Sequence, residues 1–507
     1  MVTRPARGDL VAGVSVALVL VPQALAYATI AGLDPVHGLY AAAAAPLAAA
    51  LLGSSPYIQT GPTAATSLLT LGALSTVAEP NSVRLALLAA VLAIIVGIVR
   101  VGLGLAGAGP IAYLMSQPVV VSFTSASALL IIGTQVPSIL GVESEERNPL
   151  VGAISVLADP TTWSFVDLTL GIGAMALMLG GRRLWSLFPG ALVAVVFAVV
   201  WSRLTGYDGA IVGDVVLDLR TPAGFSFADV TMLLVPGVVI ALIGFAEPAS
   251  IARRYAAMDR KQWDPNREFV GQGLANLASG LVGGFPVGGS FSRTALNRLS
   301  GARTRWSGAV TGLTVIALLP FATLLAPLPS SVLAGLVIGA VVSLVDVRAP
   351  LLYWGWSRPQ FFVGIVTVFS TMALAPRVDR GVLLGVAAAL AVHLWRELRV
   401  GVPSRLEDDT LHVHPSGVLY FGSAPAVERT INALLAEHPE VRRLVLHLDS
   451  VGRLDLTGAL MLRDVLEDFE AAGREFQICG ARAHAARLLT RVLGIPLAAD
   501  DAKGDSP

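Results

Sequence analysis

From about residue 8 to residue 400 the chain is a succession of apolar runs divided by short polar or Gly/Pro-rich stretches. Beyond about 404 the pattern changes to charged, amphipathic segments too short to span a bilayer. The first region predicts a mainly α-helical membrane protein. Its fourteen or so segments lie near 10–31, 36–53, 63–78, 85–106, 117–140, 165–180, 187–204, 229–247, 268–284, 292–300, 307–326, 330–346, 360–375 and 380–396. Crossing a bilayer takes about 20 apolar residues. The third and tenth segments fall short, and each follows a breaker-rich stretch: Gly53-Ser-Ser-Pro-Tyr-Ile-Gln-Thr-Gly-Pro62 and Gly283-Gly-Phe-Pro-Val-Gly-Gly-Ser290. Short, interrupted segments at corresponding places in two halves mark an inverted repeat with a binding site at the breaks. Third and tenth correspond if the repeat is seven segments long, with halves at about 8–204 and 229–400.

Polar residues inside the apolar runs support that match. Gln23 ends the first segment, ahead of the break at Thr63; Glu247 ends the eighth, ahead of Ser292 and Arg293. An arginine at membrane depth costs about 2.5–3.5 kcal/mol at a helix centre on insertion scales. Arg293 follows a run of breakers and small residues and opens the helical stretch Thr294-Ala-Leu-Asn-Arg-Leu. Exposed amides, a helix N-terminus and a fixed positive charge together predict an anion site.

Composition agrees with a membrane setting. The 507 residues are 54% hydrophobic and only 14% charged, with mean hydropathy +0.72, against about 25% charged residues in soluble proteins. The formal net charge of zero gives no sign of a nucleic-acid partner. Cys479 is the lone cysteine, so no intramolecular disulfide is expected. Lysine occurs only at Lys261 and Lys503 while arginine, alanine and glycine abound, a composition typical of GC-rich bacterial genomes. The N-terminus runs straight into the first apolar segment and shows no cleavable signal.

Arginine placement sets the expected orientation. With the N-terminus cytoplasmic, the inner ends receive Arg4, Arg7, Arg182, Arg183, Arg253, Arg254, Arg260, Lys261, Arg303, Arg305 and Arg396. The outer side receives Val142-Glu-Ser-Glu-Glu146 and the loop with Asp208, Asp214 and Asp218; Arg377 and Arg380 are exceptions. An even number of segments returns the C-terminus to the cytoplasm of a cell whose inner membrane holds the protein.

The second region predicts an α/β domain over 404–495, followed by a disordered tail at 496–507. Strands are expected within 411–421 about a turn at Pro415-Ser-Gly417, at 441–449 and at 476–479. Helices are expected at 424–436, 456–472 and 483–493, and alternating strands and helices make an α/β domain.

Several motifs now resemble a known family. Pro22-Gln-Ala-Leu-Ala-Tyr-Ala28, Gly38-Leu-Tyr40, Thr60-Gly-Pro62 and Phe285-Pro-Val-Gly-Gly-Ser-Phe-Ser-Arg293 resemble the sulfate permease (SulP) family. Leu446-His-Leu-Asp-Ser-Val-Gly-Arg-Leu-Asp-Leu-Thr-Gly-Ala-Leu460 resembles the STAS domain that follows such transporters. The resemblance covers nearly the whole chain. It implies a transmembrane anion-transport domain over 1–403 with a seven-plus-seven repeat, a core moving against a gate, a cytoplasmic STAS domain and a homodimer. It also implies a small anion held between the N-termini of helices three and ten. The matching substrate positions are Gln23, Tyr27, Thr63, Ala64, Ser292 and Arg293. Glu247 matches an acidic position used for a coupling cation, H⁺ or Na⁺, with Ser290 and Thr294 able to supply further oxygens. Two positions depart from the family pattern: Thr63 stands where many members have an aromatic residue, and His37 where Tyr or Phe is expected.

Each site residue also has a plain structural reading. Arg293 can tie carbonyls or a carboxylate, and Gln23 can bond across helices. Glu247 can pair with Arg293, and His37 reads as a packing histidine. His412 and His414 lack ligand spacing, so no metal site is expected. In the STAS region Asp455-Leu-Thr457-Gly matches a turn phosphorylated in related regulators. Thr457 is thus a possible regulatory hydroxyl, with helix capping by Asp455 or Thr457 as the alternative. Neither a phosphate-binding glycine loop nor a Walker lysine is present, so no cofactor and no ATP-driven step are expected, and the chain is not read as an enzyme. The reading is secondary anion transport by alternating access, driven by a cation gradient or by exchange. Sulfate, bicarbonate, chloride and dicarboxylates all fit such a pocket. The rivals are a nucleobase–proton symporter of the same fold and a channel-like sensor that signals through the STAS domain.

Overall fold

A computed structural model gives the architecture. It describes residues 5–75, 77–113, 116–144, 146–184, 188–213 and 224–494. Arg4, Glu145, Asp214, Asp218, the side chains of Arg182 and Arg183, and the tail at 496–507 lie outside the described residues. Two compact units divide near Ala389 and are treated separately.

In the first unit, α1 (Arg7–Ile30) and α2 (Pro35–Leu52) precede a short strand β1 (Thr60–Gly61) and a half-length helix α3 (Ala64–Leu74). There follow α4 (Val83–Leu105), α5 (Gln117–Leu140), the short α6 (Pro149–Leu157), α7 (Phe165–Leu184) and α8 (Gly190–Thr205). The second half repeats the order: α9 (Phe227–Met258), α10 (Pro265–Leu281), strand β2 (Gly288–Gly289) and half-length α11 (Phe291–Leu299). It continues with α12 (Trp306–Leu318), α13 (Ser330–Val341), α14 (Arg348–Trp356), α15 (Arg358–Ala373) and α16 (Val378–Glu397). Among the described residues eight helices are long and apolar enough to cross a membrane, fewer than the fourteen segments read from the sequence. Half-length elements such as α3 and α11 account for part of the difference, since a broken helix reaches only midway. The short helices α6 and α14 carry no sequence signal of their own.

The helices pack backbone to backbone where glycines permit. A Cβ on Gly97 of α4 would stand 2.9 Å from the Gly273 carbonyl of α10, and one on Gly273 would stand 2.9 Å from the Gly97 carbonyl. With little hydrophobic drive between helices in lipid, such close approach supplies the van der Waals contact that holds them. Apolar side chains left uncovered, such as Val196, Phe197 and Val200 of α8 and Leu383 and Leu384 of α16, suit lipid rather than water. Of the two basic residues placed against the orientation rule, Arg377 pairs with Asp379 at 3.4 Å, which offsets its charge locally.

The second unit carries an α/β domain. Strands β3 (Ser404–Glu407), β4 (Thr410–Val413), β6 (Arg443–His447) and β8 (Glu475–Cys479) form one sheet in the order β3-β4-β6-β8, antiparallel only between β3 and β4. Strands β5 (Gly417–Leu419) and β7 (Val451–Leu454) pair in parallel separately. Helices α17 (Ala424–Glu437), α18 (Leu456–Ala471) and α19 (Ala483–Leu493) complete it. Val427, Ile431, Leu444, Leu446, Leu462 and Leu489 are among the residues of one buried core. The expected 411–421 stretch splits into β4 and β5. Strands β3 and β7 are additions that four-residue segments beside Pro and Gly did not announce.

Candidate functional site

The two breaker stretches meet. β1 and β2 pair antiparallel, Thr60 with Gly289 and Gly61 with Gly288. Two chain segments that cannot stay helical therefore satisfy part of their backbone on each other, as a bilayer interior demands. The cross-links continue around the pair. Ser290 N–H donates to the Gln59 carbonyl at 3.1 Å, Gln59 N–H donates to Thr294 Oγ1 at 3.1 Å, and Gln272 Nε2 donates to Thr60 Oγ1 at 2.9 Å. Asn276 grips Val287 twice, accepting its N–H at 2.9 Å and donating to its carbonyl at 3.1 Å.

Each half-helix begins directly after its strand, so α3 and α11 start at the centre of this junction. Thr63 is the N-cap of α3: its Oγ1 accepts from Thr66 N at 3.3 Å and lies 2.9 Å from Thr66 Oγ1. The hydroxyl expected to face an anion thus also caps its own helix, while Ala64, buried, presents only backbone there. At α11 the cap comes from another helix. Glu247 Oε1 accepts the Phe291 N–H at 3.3 Å, a carboxylate at the positive end of a helix dipole. Ser290 and Ser292 hydroxyls lie 3.3 Å apart.

Gln23 and Glu247 each sit beside a proline within a continuous helix, Pro22 in α1 and Pro248 in α9. A proline removes one helical N–H···O bond and disturbs the preceding turn. Both full-length helices that face the junction are therefore locally loosened at their polar residue.

Arg293 is 1% exposed. Its Nη1 donates to Gln23 Oε1 at 3.4 Å, and its Nη2 lies 3.7 Å from where a Cβ on Gly61 would stand. Nε and Nη2 have no hydrogen-bond partner among the described residues. Tyr27, buried one helical turn from Gln23, lies within electrostatic reach of both Arg293 and Glu247. Among the described residues no ion pair joins Glu247 to Arg293. The expected pairing of Glu247 with Arg293 is thus replaced by a cap on α11, which the sequence did not suggest. Lower on α11, Arg298 Nη2 donates to Asp259 Oδ1 at 2.7 Å and Tyr57 Oη donates to Asp259 Oδ2 at 2.6 Å, fixing the ends of α9 and α11 together.

The sequence reading placed Gln23, Tyr27, Thr63, Ala64, Glu247, Ser290, Ser292, Arg293 and Thr294 around one site, and the structure gathers them at the β1–β2 junction. It missed Arg100, a fully buried arginine of α4 that donates to carbonyls of α9 and of Val287. The available signal was an arginine embedded in the otherwise apolar run 85–105. His37 behaves as a packing histidine: its Nδ1–H donates to the Gly283 carbonyl at 2.6 Å.

In the STAS region Asp455 is the N-cap of α18, accepting Gly458 N–H at 2.8 Å and Phe421 N–H at 3.2 Å. Thr457 is exposed in the first turn. Three imidazoles meet there too: His412 Nδ1 lies 3.0 Å from His447 Nε2, and the His414 and His447 rings stack at 4.1 Å.

Comparison with known proteins bears on these features. The sulfate permease family model matches residues 7–367, and the STAS domain model matches residues 403–493. A probable sulfate transporter of Mycobacterium tuberculosis is 35% identical over 402 residues, covering 78% of this chain and 70% of that protein. The murine Solute Carrier 26 family member A9 anion transporter, solved in the inward-facing state, superposes with a TM-score of 0.87 at 19% identity, covering 96% of this chain and 87% of that one. The transmembrane domain of a cyanobacterium bicarbonate transporter, BicA, gives a TM-score of 0.65 at 23% identity over 76% of this chain and 97% of that one.

Proposed function

This chain belongs to the sulfate permease family, multi-pass membrane anion transporters rather than enzymes, and from that premise we propose that it is a secondary active transporter of a small anion working by alternating access. The observation that carries the reading is Arg293, buried with two guanidinium N–H positions unpartnered. An unsatisfied buried donor is costly, and a charged one more so. A ligand that accepts from Nε and Nη2 relieves that cost, and an anion relieves it best.

The anion lies between the N-termini of α3 and α11, with Arg293, Ser292, Gln23 and Tyr27 as side-chain contacts. The junction start at Thr63 and Ala64 contributes backbone. Glu247 is the coupling position, which takes H⁺ or Na⁺ with Ser290 and Thr294 as further oxygen donors; exchange for a second anion is the alternative drive. The core built around β1 and β2 moves past the gate, the chain works as a homodimer, and both termini face the cytoplasm of the inner membrane. The STAS domain regulates transport, with Thr457 accessible to modification. A neutral nucleobase would leave the guanidinium charge uncompensated, which disfavours that rival.

Purified protein in proteoliposomes, offered labelled sulfate, bicarbonate, chloride and dicarboxylates under imposed H⁺ or Na⁺ gradients, tests the proposal. Concentrative uptake of at least one anion is expected. Uptake of none, or uptake of uracil instead, overturns it.

A further inference from the structure

Arg100 is completely buried. Its Nε donates to the Ala241 carbonyl at 3.0 Å, its Nη2 to the Ile240 carbonyl at 3.3 Å and its Nη1 to the Val287 carbonyl at 3.0 Å. No carboxylate pairs with it among the described residues. Carbonyl dipoles stabilise a guanidinium but cancel none of its net charge, so a full positive charge stands uncompensated inside the bundle. Structural needs alone do not call for that: burying a charge costs more than burying a neutral donor with the same hydrogen bonds.

The charge stands directly behind the site. Val287 immediately precedes β2, and its carbonyl accepts from Asn276 as well as from Arg100. A Cβ on Gly244 would meet Arg100 Nη2 at 2.8 Å and Thr66 Cγ2 at 3.5 Å, so the guanidinium and the first turn of α3 flank one point. A Cβ on Gly288 would in turn stand 3.5 Å from the same Thr66 methyl and 3.8 Å from Thr63 Oγ1. Among the described residues the charged side chains on or bonded to residues 287–293 are Arg100, Arg293 and Glu247. With Glu247 ionised they sum to one net positive charge, and with it neutral, to two.

We propose that Arg100 is a second fixed positive charge of the anion site, held behind β2 by carbonyls, and that it biases the site toward dianions. This rests on the reading of the site as an anion site. Arg100 acts through Val287 and through space, so it is a positioning and specificity residue rather than a ligand. Coulomb energy scales with the charge of the ligand. If removing the Arg100 charge weakens a monoanion by some factor, it weakens a dianion of the same shape by the square of that factor. A loss of geometry alone weakens both alike.

The test compares binding of sulfate and of perchlorate, a tetrahedral monoanion, to purified full-length wild type, Arg100→Gln and Arg100→Lys by titration calorimetry. Arg100→Gln is expected to weaken perchlorate about fivefold and sulfate about 25-fold, while Arg100→Lys keeps the wild-type ratio near neutral pH. Equal weakening of both anions, or none, in a monodisperse Arg100→Gln protein overturns the proposal. Should Arg100→Gln not fold, the Lys variant decides: its sulfate-to-perchlorate preference falls as rising pH discharges the amine. A preference held at the wild-type value at every pH overturns the proposal. Wild type that binds anions yet carries none across liposomes defeats the transport reading and leaves the valence test intact. Wild type that binds neither anion defeats both.

Discussion

Glu247 accepts the backbone N–H of Phe291 at 3.3 Å, so the acidic residue of α9 caps the very half-helix whose third residue is Arg293. Glu247 and Arg293 are thus joined by two residues of backbone rather than by a direct ion pair. A change in the charge of Glu247 is felt at the N-terminus of α11, where the helix dipole also acts.

Glu247→Gln keeps an acceptor for Phe291 N–H and removes the charge. Anion uptake by this variant is expected to lose its response to an imposed pH or sodium gradient while binding persists. Gradient-driven uptake in liposomes clamped at fixed membrane potential measures it. Undiminished driving by both gradients would place coupling elsewhere.

Arg293→Ala is expected to reduce uptake to background while leaving the unliganded protein as stable as wild type or more so. The buried guanidinium has two unpartnered positions, each a desolvation cost of about 1–3 kcal/mol. Transport assays and detergent melting curves, read together, check both halves. A variant that melts well below wild type would make Arg293 a structural strut instead.

Asp455→Ala should destabilise the STAS domain by about 1 kcal/mol through loss of the α18 cap, with a further contribution from the freed Phe421 N–H. Thr457→Ala, altering an exposed hydroxyl, should stay within about 0.5 kcal/mol. Hydrogen exchange across 456–471 in the full-length protein separates the two.

Acid should weaken the STAS sheet. Burial, then the neighbouring imidazoles of His414 and His412, hold the His447 imidazole below its ordinary value of 6.5. A depressed folded value means the unfolded chain takes up the proton first, so stability is full above the ordinary value and is lost as pH falls through the folded one. Amide protection along β6, corrected for intrinsic exchange, is expected to fall from pH 7.5 toward pH 5.5. His447→Gln should flatten that slope; an unchanged slope would assign the acid sensitivity to other groups.

How far the sequence discloses this arrangement depends on what kind of signal each part needs. The breaks at Gly53–Pro62 and Gly283–Ser290 are strong local signals, because Gly and Pro disrupt helices wherever they fall, and they mark where β1 and β2 meet. Gln23, Glu247 and Arg293 stood out because polar groups in apolar runs are expensive. That the two breaks join as strands could not be read locally: Thr60–Gly61 and Gly288–Gly289 are two-residue strands with no alternation to detect. The roles of Thr63 and Glu247 as caps depend on where a distant N–H points, which spacing does not encode. Arg100 carried the same cost signal as Arg293, yet no flanking helix breakers drew attention to it.

The β1–β2 junction also constrains the order in which the protein can be made. Gln59 waits for Thr294, 235 residues further along the chain, before its amide finds its acceptor. While the first half emerges from the ribosome, α3 begins at mid-membrane beside strand groups whose partners have not been translated. The nascent first repeat must therefore be sheltered, by the insertion machinery or by water, until the second arrives to zip against it. A chain arrested before β2 holds β1 and α3 but not the strand that β1 pairs with, which makes the junction a product of late assembly rather than of either repeat.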